Sequence, residues 1–284
     1  MDTTKIKARL NGRLNTVPST GANMDVGVDE NVEIDVGADA DAVTNASTSL
    51  STTIKSDYIA LHSDALSIIN ENLKNQPLSH GLFDIIKSPS GGRTAFTVPG
   101  LSGDAMVKEL TGIILDYSTP RAYWDTPDPV EGTPPICFSR DSLVSFDGKV
   151  CNRCVYNQFG SKDNGTSSES NGKACKESVL LYLLRPDNIL PLIVRVPVSS
   201  KGHFLRYATR LVSNLTPISG VVTKITLEKT TNKTGQPYAL YNFEAVGTLS
   251  KEEAATAKAF GQNFMDIIDA VDVEPVMAEV AEAA

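Results

Sequence analysis

Apolar positions along this chain recur with two periods, and the change from one period to the other marks out its elements. VLLYLLR (179–185) and ILPLIVRVPV (189–198) are apolar runs separated by a Pro-Asp-Asn turn, which predicts a hairpin. SKGHFLRYATRLVS (200–213) puts Phe204, Tyr207 and Leu211 on one helical face and Arg206 and Arg210 on another. SGVVTKITLEK (219–229) then alternates, with Val221, Thr223, Ile225 and Leu227 on one side and Lys224, Thr226 and Glu228 on the other. A turn with Gly235 leads to a return strand, YALYNFEAVGTL (238–249). Ser250 followed three residues later by Glu253 has the form of a capping box and predicts a helix from there.

Upstream the pattern thins. SDYIALHSDALSIINENLKNQ (56–76) spaces Ile59, Leu66, Ile69 and Leu73 for an amphipathic helix that Pro77 ends. The stretch from there to 135 is rich in turn residues, apart from ELTGIILDYS (109–118), which reads as a strand. Residues 1–55 hold too little apolar surface to offset the entropy of ordering and read as a disordered acidic arm.

The predicted order is strand, insert, strand, strand, helix, strand, strand. Five strands with a helix between the third and fourth is the order of an OB barrel. The expected fold is therefore mainly β with flanking helices (α+β): an OB-like five-stranded barrel over 56–264, with an insert at 137–175 between strands one and two. A mixed α+β sheet of another topology competes with it.

Charge sharpens this picture. The 284 residues carry a formal charge of −8, but unevenly. Residues 137–233 hold 14 Lys/Arg against 7 Asp/Glu, a balance of +7, while 25–41 holds seven acids and no base. Residues 265–284 hold six acids and no base and form an acidic tail. A basic middle between acidic ends suits a polyanionic partner for the middle alone. No run approaches the roughly 18 to 20 apolar residues of a membrane span, and the N-terminus has no apolar stretch of a secretory signal. The expectation is a soluble protein in a reducing compartment, where four cysteines more often hold a metal than form disulfides.

Those cysteines are spaced C-x13-C-x2-C-x20-C: Cys137, Cys151, Cys154 and Cys175. A two-residue spacer lets Cys151 and Cys154 meet one ion, and the flanking pair completes the four-thiolate shell of a structural Zn2+. FDGK (146–149) supplies the tight turn that a zinc ribbon needs. Four protein ligands leave no position open for a substrate, so such a site would fold the insert and not catalyse. An iron–sulfur cluster takes the same ligands. A redox pair at CxxC and unligated buried thiols are the other readings.

A single strand of nucleic acid needs cations for its phosphates and aromatic faces for its bases. The basic middle and the PRAYW stretch supply both in Arg121, Trp124, Tyr156, Phe159, Lys162, Tyr182, Arg185, Arg195, Lys201, Arg206, Lys224 and Tyr241. Each has a plainer reading as well. Tyr241, with Phe243 in phase, fits a barrel core; Trp124 fits a core cap; Arg206 fits a solvated helix face. Enzyme signatures are lacking: the three histidines (His62, His80, His203) fall in no HExxH or HxE arrangement, and no GxSxG occurs.

Over about 88–264 the chain resembles a group of bacteriophage single-stranded DNA-binding proteins. The resemblance rests on GIILDY…PRAYW, CNRCVYNQFGS, KACK, LLYLLRP…LPLIVRVPVSS, GVVTKITLEK and YALYNFEAVGTLS. An OB barrel interrupted by a zinc ribbon is also similar to one DNA-binding domain of the eukaryotic replication protein A family. The resemblance implies a protein that coats single-stranded intermediates of phage replication and recombination in the cytoplasm of the bacterial host, with the acidic tail reaching replication or recombination proteins. The acidic N-terminal arm is not part of that pattern. Two rivals stand beside this reading: a zinc-ribbon adaptor that binds a replication or transcription complex, and a DNA-processing enzyme with an iron–sulfur cluster.

Overall fold

A computed structural model describes residues 58–61, 65–74, 76, 78, 80–126, 133–162, 172–232 and 235–269. Within them the fold is mainly β. Strands β1 (Ile85–Ile86), β2 (Phe96–Val98), β3 (Ala105–Val107), β4 (Glu109–Ser118), β5 (Arg121–Tyr123) and β6 (Cys137–Ser139) come first, after helix α1 (Ala65–Leu73). Then follow β7 (Lys176–Leu184), β8 (Leu192–Pro197), helix α2 (Val198–Ser213), β9 (Val221–Thr231), β10 (Pro237–Thr248) and helix α3 (Lys251–Asp269).

The main sheet runs β1-β8-β7-β4-β9-β10, and β5 and β6 extend it beside β7. Its pairings are antiparallel except that of β1 with β8. Strand β4 serves its two neighbours end to end: Glu109 to Ile113 pair with β9, and Ile113 to Ser118 pair with β7. A strand divided in this way makes the sheet curl into a half-barrel instead of lying flat. The crowding is greatest at Gly112, where an added Cβ would stand 2.3 Å from the Leu184 carbonyl oxygen, so only glycine lets β7 pass. The register of β4 shifts between Ile114 and Asp116, just beyond this point.

Burial on both faces explains why β7 reads as a continuous apolar run. One face carries Val179, Leu181 and Leu183 into a core with Val194 and Val196 of β8 and Phe204, Tyr207 and Leu211 of α2. The other turns Leu180 and Tyr182 toward Phe264 and Ile268 of α3, with Leu78 and Phe83. Each such side chain contributes roughly 1.5–3 kcal/mol by leaving water. The helical period of α2 holds as expected, with Arg206 and Arg210 exposed opposite its buried face. The capping box is formed: Glu253 N donates to Ser250 Oγ at 3.2 Å, and Ser250 N donates to Glu253 Oε2 at 3.1 Å.

Several features differ from expectation. The sheet stays open, because β8 and β10 do not pair; the side chain of Ser200 in α2 instead accepts the Tyr241 amide at 3.0 Å. The turn-rich stretch before 135 contains a β2–β3 hairpin and β5, too short to show a period. The segment expected as one helix over 56–76 is a 3-10 turn, Ile59–Leu61, followed by α1. Of the acidic tail expected from 265, residues 265–269 belong to α3 and the rest lie outside the described residues. The disordered arm expected over 1–55 also lies outside them. No helix among the described residues is long and apolar enough to cross a membrane.

Candidate functional site

The excursion at 137–175 begins and ends on β5. Tyr123 pairs with Cys137 of β6 on one side, and Ala122 pairs with Lys176 of β7 on the other. Beyond β6, Asp141 accepts the amides of Leu143 and Val144 and the Ser139 hydroxyl, at 2.8, 3.2 and 3.0 Å. Against the effect of burial, these donors hold its carboxyl below the usual range. A turn follows in which Ser145 N donates to Lys149 O at 2.8 Å, with Gly148 at φ +82° where a side chain would be strained. Val144 bridges Val150, so the turn closes a small hairpin as FDGK predicts. Two 3-10 turns, Cys151–Arg153 and Val155–Asn157, then bring the chain back so that Cys175 N donates to Tyr156 O at 2.8 Å.

These turns bring all four cysteines onto one cavity of about 20 Å3, walled also by Tyr123 and Tyr156. The two rings stack with centroids 3.9 Å apart and planes 15° from parallel. All four thiols are free of disulfides. Burial pushes the Cys175 thiol up to about 12; the other three cysteines act in the same direction, and the Arg121 guanidinium opposes them. Burial also raises Cys137, with the nearby Asp147 carboxylate adding to it. Four sulfur donors lining one small cavity fit a thiolate-bound metal in donor type. The sulfurs are not drawn into a ligating arrangement: among the described residues no group of three or more His, Cys, Asp or Glu stands at metal-binding geometry.

A second, larger cavity of about 590 Å3 opens between the insert and the β8–α2 junction. Five cations line it: Arg121, Lys162, Lys173, Lys176 and Arg195. Phe159 stands on its rim, 78% exposed, with Lys173 Nζ 4.6 Å from the ring centroid. Glu177 is the one carboxylate among the described lining residues, and its charge is already offset. Its Oε2 lies 2.8 Å from Arg121 Nη2, and its Oε1 accepts from Lys201 Nζ. Arg121 also donates from Nη1 to Asn157 Oδ1 and from Nε to Ser142 Oγ, the latter at 3.3 Å. Arg121 and Cys175 line both cavities, which therefore share a wall.

The residues predicted from sequence divide into four groups: at the cleft, at the cysteine cavity, in the core, and outside both cavities. Arg121, Phe159, Lys162 and Arg195 meet at the cleft, and Lys201 joins them through Glu177. Tyr156 belongs to the cysteine cavity. Trp124 is buried against Ala122 and Phe138 with its indole N–H donating to Thr133 O at 2.9 Å, so it caps a small core. Two residues need correction as stacking rings. Tyr182 is buried against Phe264, and Tyr241, 0% exposed, packs edge-on to Phe96, so neither presents a face to solvent. Their strands are covered on the face that carries these rings, which the apolar pattern alone did not separate from a half-solvated strand. Arg185, Arg206 and Lys224 stand outside the lining of both cavities, and Lys224 pairs with Glu244 at 2.6 Å. Lys173 and Lys176 are the contributors that sequence reasoning missed, while Tyr123, which the PRAYW stretch offered for the strand, stands instead against the cysteine cavity. The two lysines flank the fourth cysteine in KACK, where that spacing was a usable signal.

Compared with known proteins, the chain matches no family model, no curated protein and no solved structure. Its site must be read from its own geometry.

Proposed function

We propose that this protein is a non-enzymatic, sequence-tolerant single-stranded DNA-binding protein, and that the cleft between the insert and the β8–α2 junction takes the strand. The observation that carries this reading is the cleft's lining: five cations, a single carboxylate already bonded to Arg121 and Lys201, and an exposed Phe159. Cations beside a bare aromatic ring are what a phosphate backbone with unstacked bases requires. The strand order β8-β7-β4-β9-β10, with α2 between β8 and β9, supports an OB-like fold with the insert between its first two strands, β4 and β7. In OB folds the second and third strands form the binding face, and Lys176, Glu177, Ser178 and Arg195 lie on β7 and β8.

Cys137, Cys151, Cys154 and Cys175 would hold a structural Zn2+ as four thiolates, and such an ion would tie the turns of the insert together. The setting we infer is phage replication and recombination in the bacterial cytoplasm, with replication or recombination proteins as partners of the acidic C-terminal tail.

One observation favours a second reading, a protein–protein adaptor. Leu143, Val144, Phe146, Val150 and Val155 are all exposed on the insert, more apolar surface than a loop needs. Fluorescence anisotropy separates the two. A labelled oligo-dT and the matching duplex are titrated with the full chain at two salt concentrations. Tight, salt-sensitive binding that favours the single strand supports the first reading. Absence of binding by folded protein leaves the adaptor.

A further inference from the structure

The cleft has a floor as well as a rim, and the two differ in chemistry. Phe159 stands on the rim, exposed. Lower down are Arg195, 8% exposed, whose Nε donates to Ser178 Oγ at 3.4 Å, and the half-buried Ser88 and Lys176.

We propose that this floor is a pocket for the terminal phosphate of a nucleic-acid strand, a nucleoside phosphate monoester whose base lies against Phe159. The inference rests on the single-strand reading above and goes further by naming which part of the strand enters. Depth is the argument. An internal nucleotide must keep its neighbours on both sides in solvent, so its phosphodiester stays at the rim. A chain end can lower a phosphate to an arginine as covered as Arg195. A monoester also brings nearly two negative charges and three acceptor oxygens, which suits Arg195, Lys176 and the hydroxyls of Ser88 and Ser178 better than a singly charged diester does. The same chemistry is found in a free mononucleotide, and the experiment separates the two sources.

The test uses the full chain with oligo-dT in four forms: 5′-phosphorylated, 3′-phosphorylated, hydroxyl at both ends, and circular. Calorimetry with dTMP and with thymidine runs alongside. Binding about tenfold tighter for one phosphorylated end than for the hydroxyl and circular strands is the expected result. Saturable binding of dTMP but not thymidine is expected with it. Arg195→Gln, and independently the less buried Lys176→Gln, should bring the ratio between phosphorylated and hydroxyl ends close to one. Equal affinity for all four strands overturns the pocket and leaves strand binding intact. If no strand binds, the single-strand reading is lost, and dTMP alone decides: saturable binding keeps a nucleoside-phosphate pocket, and none ends it.

Discussion

Arg121 and Glu177 are register partners on β5 and β7, and their side chains close the same gap, Nη2 to Oε2, at 2.8 Å with 8% and 14% of each exposed. Glu177 also takes Lys201, so one carboxylate anchors a cation from the insert's root and another from α2. Removing one member of a buried pair strands the other's charge, which typically costs about 3–5 kcal/mol. Glu177→Ala should lower the urea midpoint by an amount of that order, and Arg121→Ala should do likewise. A double-mutant cycle should show that the losses are not additive. Additive losses would mean that the pair is not coupled.

Stacking should be lost at Phe159 and not at the buried tyrosines. A base on an aromatic ring is worth roughly 1–3 kcal/mol, so Phe159→Ala should weaken oligo-dT binding by about 5- to 150-fold. Tyr182→Phe removes a hydroxyl from a ring covered by Phe264 and should leave affinity unchanged. Anisotropy titrations at one salt concentration compare them directly, and equal affinities for Phe159→Ala and the native chain would remove Phe159 from the interface.

Metal content is a separate question. The full chain purified without chelator should carry about one Zn2+, and Cys154→Ser should carry none, because three thiolates hold the ion far less well than four. Elemental analysis gives the count, and a brown preparation with broad visible absorption would indicate an iron–sulfur cluster in its place. Metal-free protein should also bind oligo-dT more weakly, since Arg121 and Cys175 belong to the walls of both cavities.

Gly112 should tolerate no side chain. Its added methyl would meet the Leu184 carbonyl at 2.3 Å, and backbone does not yield as a flexible side chain does. Gly112→Ala should therefore destabilise by about 1–3 kcal/mol or more, read as a shift in urea midpoint.

High pH should unfold the protein through buried phenols. Burial raises Tyr58 and Tyr241 from an ordinary value of 10.0 to about 12. The folded state thus keeps these protons after the unfolded chain has lost them. Their contribution is complete below about pH 10 and is lost as pH rises toward about 12. Urea midpoints should fall across that window, while absorbance at 295 nm shows the buried tyrosines ionising later than the rest. Tyrosines that all titrate near 10 in folded protein would contradict it.

Much of the fold was legible in the sequence because its long elements each bury one regular face. Phe204, Tyr207 and Leu211 announce α2, and Ser250 with Glu253 announces the start of α3. The strands from β7 to β10 fall within three residues of their predicted limits, for the same reason. What stayed hidden depends on partners distant in the chain. Strands β2, β3 and β5 are three residues each, too short for any period, and exist because neighbours pair with them. At the site, composition found the cations but not their grouping. Arg195 and Lys162 meet only because the insert folds back toward β8, whereas Arg206 and Lys224, equally basic in sequence, point elsewhere. Tyr182 sits on β7, buried on both faces, and Tyr241 on the covered face of β10, and in sequence an aromatic on a covered face looks like one on an open face.

The short strand β5 has a wider consequence. Because the excursion leaves from beside Tyr123 and returns beside Ala122, the rest of the molecule sees it as little more than a turn. A module held by so narrow a neck is a cassette. Changes in its length or in its cysteine-bearing end leave the registers of β4, β7 and β9 as they are, so its surface is free to diversify while the half-barrel stays the same.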